Sequence, residues 1–204
     1  MQSDATRWEQ TPARNTQIVA LDFETTGTVE EHPDEPWQLG MISLTEGTCR
    51  GEWRFSSLLH VGPRPFNPYA PGRHGQLRSE IARAPALGDL WPHLQRWLPG
   101  RPLTAHNAAT EKKFLTRHFP FHRFGPWIDT LTLSRIAYPD FDSHRLEDLI
   151  PALGLQNRVR ALCPEGEPHD ALYDAAACGV VLEHLLQQPG WQTMTVGELG
   201  AART

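Results

Sequence analysis

Apolar and polar positions along this 204-residue chain change period several times, and each change predicts an element. Within Gln17 to Glu24, four consecutive apolar residues, Ile18 to Leu21, give way to alternation through Asp22, Phe23 and Glu24, the pattern of a buried strand emerging at its end. Thr25, Thr26 and Gly27 terminate it, with Gly27 expected at positive φ. An acid- and proline-rich loop, Val29 to Pro36, leads to expected strands at Gln38 to Leu44 and Glu52 to His60, and the short Glu46-Gly47-Thr48 link predicts that they pair as a hairpin. Gly62 to Pro102 is crowded with proline and glycine, yet Leu87, Leu90, Leu94, Trp97 and Leu98 keep helical spacing and predict one helix. Beyond it the expected order is a strand at Leu103 to Ala105, a helix at Ala108 to Phe119, a strand at Trp127 to Asp129, and helices at Leu131 to Ala137, Arg145 to Leu153 and Ala171 to Leu186. Early strands followed by alternating helices predict an α/β sandwich with a mixed sheet. Residues 1–16 read as a flexible leader, 17–190 as one domain and 191–204 as a short tail.

An apolar content of 39% supports one sizeable core. Cys49, Cys163 and Cys178 form no Cys-x-x-Cys pair and leave one odd, so we read them as reduced thiols of a cytoplasmic protein. No apolar run approaches the length that crosses a bilayer, and no membrane partner is expected. The formal charge of −5 argues against tight, processive binding to long nucleic acid. It leaves room for a short nucleic-acid substrate, because metal-loaded acids would no longer count against it.

Candidate chemistry begins at the first strand. Side chains alternate across a strand, so Asp22 and Glu24 leave the same face, where adjacent carboxylates are costly unless a cation neutralises them. His169 and Asp174 flank the start of the last helix; Asp170 is the expected N-cap, which leaves His169 on the non-helical lead-in while Asp174 faces the site from the first turns. The arithmetic recurs at Asn107 and Glu111, with Asn107 the expected cap. Four carboxylates and a histidine suit two-metal phosphoryl chemistry. Oxygen donors select magnesium or manganese, and histidine can take a proton from an attacking water.

Asp22-Phe23-Glu24-Thr25-Thr26-Gly27, His106-Asn107-Ala108, and His169 followed five residues later by Asp174 resemble the three motifs of the DEDDh (DnaQ-like) 3′-to-5′ exonucleases. His74-Gly75 and Ile128-Asp129-Thr130-Leu131 are similar to two further family segments. The resemblance implies a ribonuclease-H-like three-layer fold with a mixed central sheet flanked by helices, and two Mg²⁺ or Mn²⁺ ions. It further implies hydrolysis of single-stranded DNA or RNA from the 3′ end to nucleoside 5′-monophosphates, with 3′ ends or short oligonucleotides as partners and a polymerase or another protein as a further one. Carried over by position, it makes Asp22, Glu24, Glu111 and Asp174 metal ligands and His169 the general base. Thr25, Thr26, His74 and Thr110 border the substrate. The second motif departs from the family, which usually has phenylalanine then aspartate where this chain has Thr110 then Glu111. The added methylene could shift a metal by about an ångström, enough to affect rate, and threonine removes an aromatic face worth ~1–3 kcal/mol in base stacking.

Plainer readings stand beside these. Asp22 and Glu24 could be solvated acids ending an edge strand, and an acid in a first helical turn is stabilised by the dipole by ~0.3–1 kcal/mol without any metal. His106 and Asn107 read as structural, joining strand to helix. Arg73 and Arg78 flank the expected substrate loop, where they could meet phosphates, but a solvated loop is the favoured reading of both. At the level of function, the alternative is a scaffold of the same fold that binds nucleic-acid ends without turnover.

Overall fold

The computed structural model describes residues 4–203; Met1 to Ser3 of the expected leader and Thr204 of the tail lie outside the described residues. In chain order the elements are α1 (Asp4–Gln10), β1 (Ile18–Thr25), β2 (Pro36–Thr45), β3 (Thr48–Leu58), α2 (Arg78–Arg83), α3 (Trp91–Leu94), β4 (Leu103–Ala105), α4 (Ala109–His118), β5 (Trp127–Asp129), α5 (Thr130–Ala137), α6 (Leu146–Ala152), α7 (Gln156–Leu162), α8 (Ala171–Leu185) and α9 (Val196–Ala201). The five strands form one sheet in the order β3-β2-β1-β4-β5. β1, β2 and β3 pair antiparallel, whereas β4 and β5 join parallel to β1, giving the expected mixed sheet.

Strand periodicity divides the core into two layers. Ile18 and Ala20 of β1 face one cluster with Ile42, Leu44 and most of α8, while Val19, Leu21 and Phe23 face another with Leu94, Leu98, Phe114 and Leu115. Asp22 and Glu24 share the parity of Ile18 and Ala20, so they emerge on the α8 side. α8 is buried along most of its length, because Ala175 to Gly179 are small enough to let it lie directly on the sheet. Its first turn is seated on Gly40, where any Cβ would overlap the backbone of Ala171 and Leu172. Gly40 pairs with Asp22 and Gln38 with Glu24 across β1 and β2, so this close approach sets the start of α8 beside both acids. Further along, Glu183 accepts from the Cys49 amide (2.7 Å) and from Arg158 (3.0 Å), a buried tie between α7, α8 and β3.

Several expectations are corrected. The segment expected as a flexible leader carries α1 and a 3₁₀ turn at Ala13–Asn15, with Trp8 and Ala13 buried. The expected tail folds over it as α9, held by Ala13 N–H to Met194 O (3.0 Å) and Val196 N–H to Thr11 O (2.9 Å). Thr195 and Glu198 cap α9 reciprocally, a Thr-x-x-Glu capping box readable in the sequence. The helix expected through Leu87 to Leu98 is a 3₁₀ turn at Leu87–Leu90 followed by the short α3, since Pro92 suits only a helix start. α2 and α7 were not expected. No helix among the described residues is long and apolar enough to cross a membrane.

Candidate active site

Three chain segments meet at the carboxyl end of β1. Asp22 and Glu24 come from the strand, Glu111 from the third position of α4, and His169 and Asp174 from the entry to α8. Glu24, His169 and Asp174 each offer a ligand atom within 4.8 Å of the others. Asp22 and Glu111 are not members of that group; Glu111 approaches from the opposite layer, since α4 packs through Phe114 and Leu115 on the far face of the sheet, and its charge acts on Asp22. Its carboxylate is 3% exposed, and among the described residues Oε2 has no hydrogen-bond partner.

Burial and mutual repulsion set the electrostatics. Burial, followed by the charges of Glu111, Asp174 and Glu24, pushes the Asp22 carboxyl well above the ordinary range. Burial and the Asp174 charge bring Glu24 to about 8, and burial, helped by Asp129, brings Glu111 to about 8. Asp174 rises to about 6 through burial, restrained by the His169 amide and ring. A cluster of acids this reluctant to ionise lacks positive charge. With oxygen donors predominating and one buried oxygen unpartnered, the residues fit hard divalent cations such as Mg²⁺ or Mn²⁺.

The entry to α8 is built as a tight turn. Asp170 N–H bonds to Glu167 O (3.0 Å), with Pro168 second in the turn and His169 third at φ 66°, the positive value that a type II turn requires there. A non-glycine residue at positive φ is costly, and the turn is compensated by His169 N–H donating to Asp174 Oδ2 (3.0 Å). Asp170 caps α8 as expected, accepting from Leu172 and Tyr173 N–H, while its other oxygen accepts from Gln38 Nε2 (3.0 Å) and faces Arg73 (3.5 Å). The His169 Nε2 lies 3.4 Å from Glu147 of α6, a partner that sequence reasoning missed because nothing in the chain ties α6 to this turn.

The start of α4 differs from expectation. Asn107 is not its cap: it sits at φ 69°, and Ala108 precedes the helix with no side-chain cap. Asp129, at the end of β5, accepts from Asn107 N–H (3.0 Å) and Ala108 N–H (3.2 Å) and also caps α5 through Leu131 N–H (3.0 Å). One carboxylate across the sheet thus does what a local side chain was expected to do, and it fixes the turn that aims Glu111. His106 is structural, its ring nitrogens 3.0 Å from Thr130 Oγ1 and 2.7 Å from His144 O.

The expected substrate-side residues are distributed unevenly. Thr25 is half-buried beside a strand irregularity, and Thr110 is half-buried at the second position of α4. Thr26 differs from the expected nucleotide contact. Its side chain is 1% exposed, its hydroxyl accepts from Glu35 N–H (3.1 Å), and its carbonyl accepts from Asn67 N–H (2.8 Å), so it anchors two loops. His74 stacks on Phe66 at 5.1 Å, with its Nε2 3.1 Å from Ala70 O, and so braces the Asn67–His74 loop. That loop brings Gly72, at φ 89°, against the acids: a Cβ there would lie 3.3 Å from Glu24 Oε2 and 3.0 Å from His169 O. Gly72 is a wall of the site that no motif announced.

The family model RNase_T, described as an exonuclease, matches residues 19–182. The DNA polymerase III subunit epsilon-like protein of Rhodobacter capsulatus is 28% identical over 198 residues, 96% of this chain but 27% of its own length. The PolC-type DNA polymerase III of Bacillus subtilis is 26% identical over 174 residues, 83% of this chain and 11% of its own. The chain therefore spans about a quarter or less of these relatives. Among solved structures, Exonuclease X in complex with 5′-overhanging duplex DNA superposes with a TM-score of 0.67 at 23% identity, over 90% of this chain and 99% of that one. The nuclease domain of 3′hExo, a DEDDh family member bound to rAMP, gives 0.70 at 18% identity, over 89% and 96%.

Proposed function

The chain belongs to the RNase_T exonuclease family, the DnaQ-like branch of the ribonuclease-H-like superfamily, and from that premise we propose that it is a metal-dependent 3′-to-5′ exonuclease acting on single-stranded ends or short oligonucleotides of DNA or RNA. The observation that carries this reading is the grouping of Glu24, His169 and Asp174, whose ligand atoms lie within 4.8 Å of one another, beside Asp22 and Glu111, whose carboxyls, like those of Glu24 and Asp174, are raised chiefly by burial. The four carboxylates would hold two Mg²⁺ or Mn²⁺ ions. When bound, such ions neutralise the acids, polarise the phosphate and make water a better nucleophile.

The chain's own residues do the rest. His169 accepts the proton of the attacking water. The water oxygen bonds to the terminal phosphorus, the bond from phosphorus to the preceding 3′-oxygen breaks, that oxygen takes a proton from solvent, and a nucleoside 5′-monophosphate leaves a chain ending in a 3′-hydroxyl. Thr25, Thr110 and the Gly72–His74 wall border the terminal nucleotide, while Thr26 contributes by holding that wall. The turn at Pro168 keeps His169 pointed outward from α8, so that base and acids move as one unit. A polymerase partner, of the kind named for the Rhodobacter and Bacillus relatives, is compatible with this role.

The scaffold alternative is not favoured, because the acids and His169 are all retained. End-labelled DNA and RNA oligomers incubated with manganese or magnesium test the choice. Stepwise shortening from the 3′ end, lost in Asp174→Ala, is the expected result. A natural chain that binds ends without shortening them, while Glu111→Asp shortens them, would establish the scaffold instead.

A further inference from the structure

A cavity of about 600 Å³ opens beside His169 and Asp174, between the turn at Asn107, α5 and the start of α6, and Gly72 is not among its lining residues. We propose that it receives the phosphodiester chain on the 5′ side of the scissile bond, with Arg135 and Arg145 as its phosphate contacts. The assignment rests on the 3′-to-5′ exonuclease reading and extends it to where the rest of the substrate lies.

Continuity is the first reason. His169 and Asp174 belong to the cavity wall and to the acid cluster alike, so a phosphate held at the acids has direct access to it. The second is that the Gly72 side is closed. Asn67 N–H is bonded to Thr26 O (2.8 Å), Gly72 packs against Glu24 and His169, and Trp37 is fully buried behind them. A terminal nucleotide can end against that wall, but a longer chain cannot pass through it. The cavity instead runs out between exposed residues, Asp142, Arg145 and Pro168.

Charge is the third reason. The cavity gathers two arginines beside the reacting centre, against the acids Asp142, Glu147 and Asp174, of which Asp174 belongs to the cluster that a cation would neutralise. Arg135 makes no ion pair among the described residues. Arg145 faces only Glu147, at 3.6 Å and with its side chain 79% exposed, so it can turn to a phosphate at little cost. Glu147, the nearest acid on that wall, already faces both Arg145 and His169. Leu131, Leu146 and Pro168 offer apolar surface, the lining holds no Phe, Tyr or Trp, and of its rings His106 and His144 are held in hydrogen bonds while His169 serves the reaction, so the proposed contact is to backbone phosphate and independent of base identity. The volume lies within the ~300–1,000 Å³ of small-ligand sites and suits one or two nucleotide units.

Two substrates separate this cavity from the catalytic centre: a short oligothymidylate, and the p-nitrophenyl ester of thymidine 5′-monophosphate, whose leaving group carries no further nucleotide. Both are assayed with manganese for the natural chain, for Arg135→Gln combined with Arg145→Gln, and for Arg50→Gln. Arg50 sits on β3, the far edge strand of the sheet, and controls for the loss of one positive charge, half that of the double variant. The double variant is expected to raise KM for the oligonucleotide roughly tenfold with little change in kcat, and to shift the ester far less; the slope of log kcat/KM against log salt should flatten by about 0.7 for each arginine removed. Equal effects on both substrates, or none on either, would overturn the cavity assignment while leaving the exonuclease standing. A natural chain that cleaves neither substrate overturns the exonuclease reading, and the cavity assignment with it.

Discussion

Replacing Glu111 by glutamine preserves shape while removing a charge that the fold buries at a cost. Glu111 is 3% exposed, its Oε2 is unpartnered among the described residues, and burial raises its carboxyl to about 8. A carboxyl near ~4.3 in the unfolded chain and raised when folded binds more protons in the native state. Its contribution to stability is therefore complete below that lower value and is lost as pH rises through about 8. Glutamine has no such titration. In EDTA, Glu111→Gln should match the natural chain near pH 5 and exceed it near pH 8.5, by about 1–3 kcal/mol, the usual cost of an unsatisfied buried polar group. For a chain of this size that is roughly 2–10 °C in Tm. Manganese should reverse the order, because binding stabilises the folded state in proportion to affinity and the variant lacks one of the proposed ligands. Activity on oligonucleotides should fall by ~10²-fold or more, the scale set by ångström misplacement of reacting groups. Melting curves at both pH values with and without manganese, beside end-labelled assays, give the full comparison. A variant less stable than the natural chain at pH 8.5 in EDTA, or one gaining the same stabilisation from manganese, would refute the reasoning.

Other perturbations probe separate parts of the structure. In EDTA the natural chain should itself lose stability between pH 5.5 and 8.5 as Glu24 and Glu111, both near 8, ionise; added magnesium or manganese should raise Tm more at the upper pH, and a flat profile in EDTA would contradict this. Gly72→Ala strains φ 89° and forces a Cβ to 3.0 Å from His169 O, so differential scanning fluorimetry should show a loss of about 1–3 kcal/mol together with a several-fold drop in kcat/KM. His169→Asn retains a residue type tolerant of positive φ; melting should change little while oligonucleotide hydrolysis drops ~10²-fold or more. Glu183→Ala leaves Arg158 and the Cys49 amide without their acceptor, and urea melts should show a loss of about 2–4 kcal/mol with KM for oligonucleotide unaltered.

Local periodicity and short-range chemistry made much of this molecule readable from its residues. The apolar run at Ile18–Leu21 specifies β1, the two-residue repeat puts Asp22 and Glu24 on one face, and Asp170 caps α8 through bonds confined to its own turn. The place of His169 on the non-helical lead-in was readable from Pro168 and the Asp170 cap, whereas its positive φ was not. What could not be read depends on groups distant in the chain. Nothing near Asn107 says that Asp129 will hold the start of α4, nothing near Gly40 says that α8 will rest on it, and the weak pattern of Trp8 and Val196 acquires meaning only where α1 and α9 cover each other. Whether the Glu111 charge would act on Asp22 was likewise undecidable, because the two come from opposite layers of the sandwich and their relation depends on how α4 packs on the sheet. Sequence periodicity governs which way a side chain points from its own element, whereas convergence requires the positions of elements relative to one another, and those are set by long-range packing.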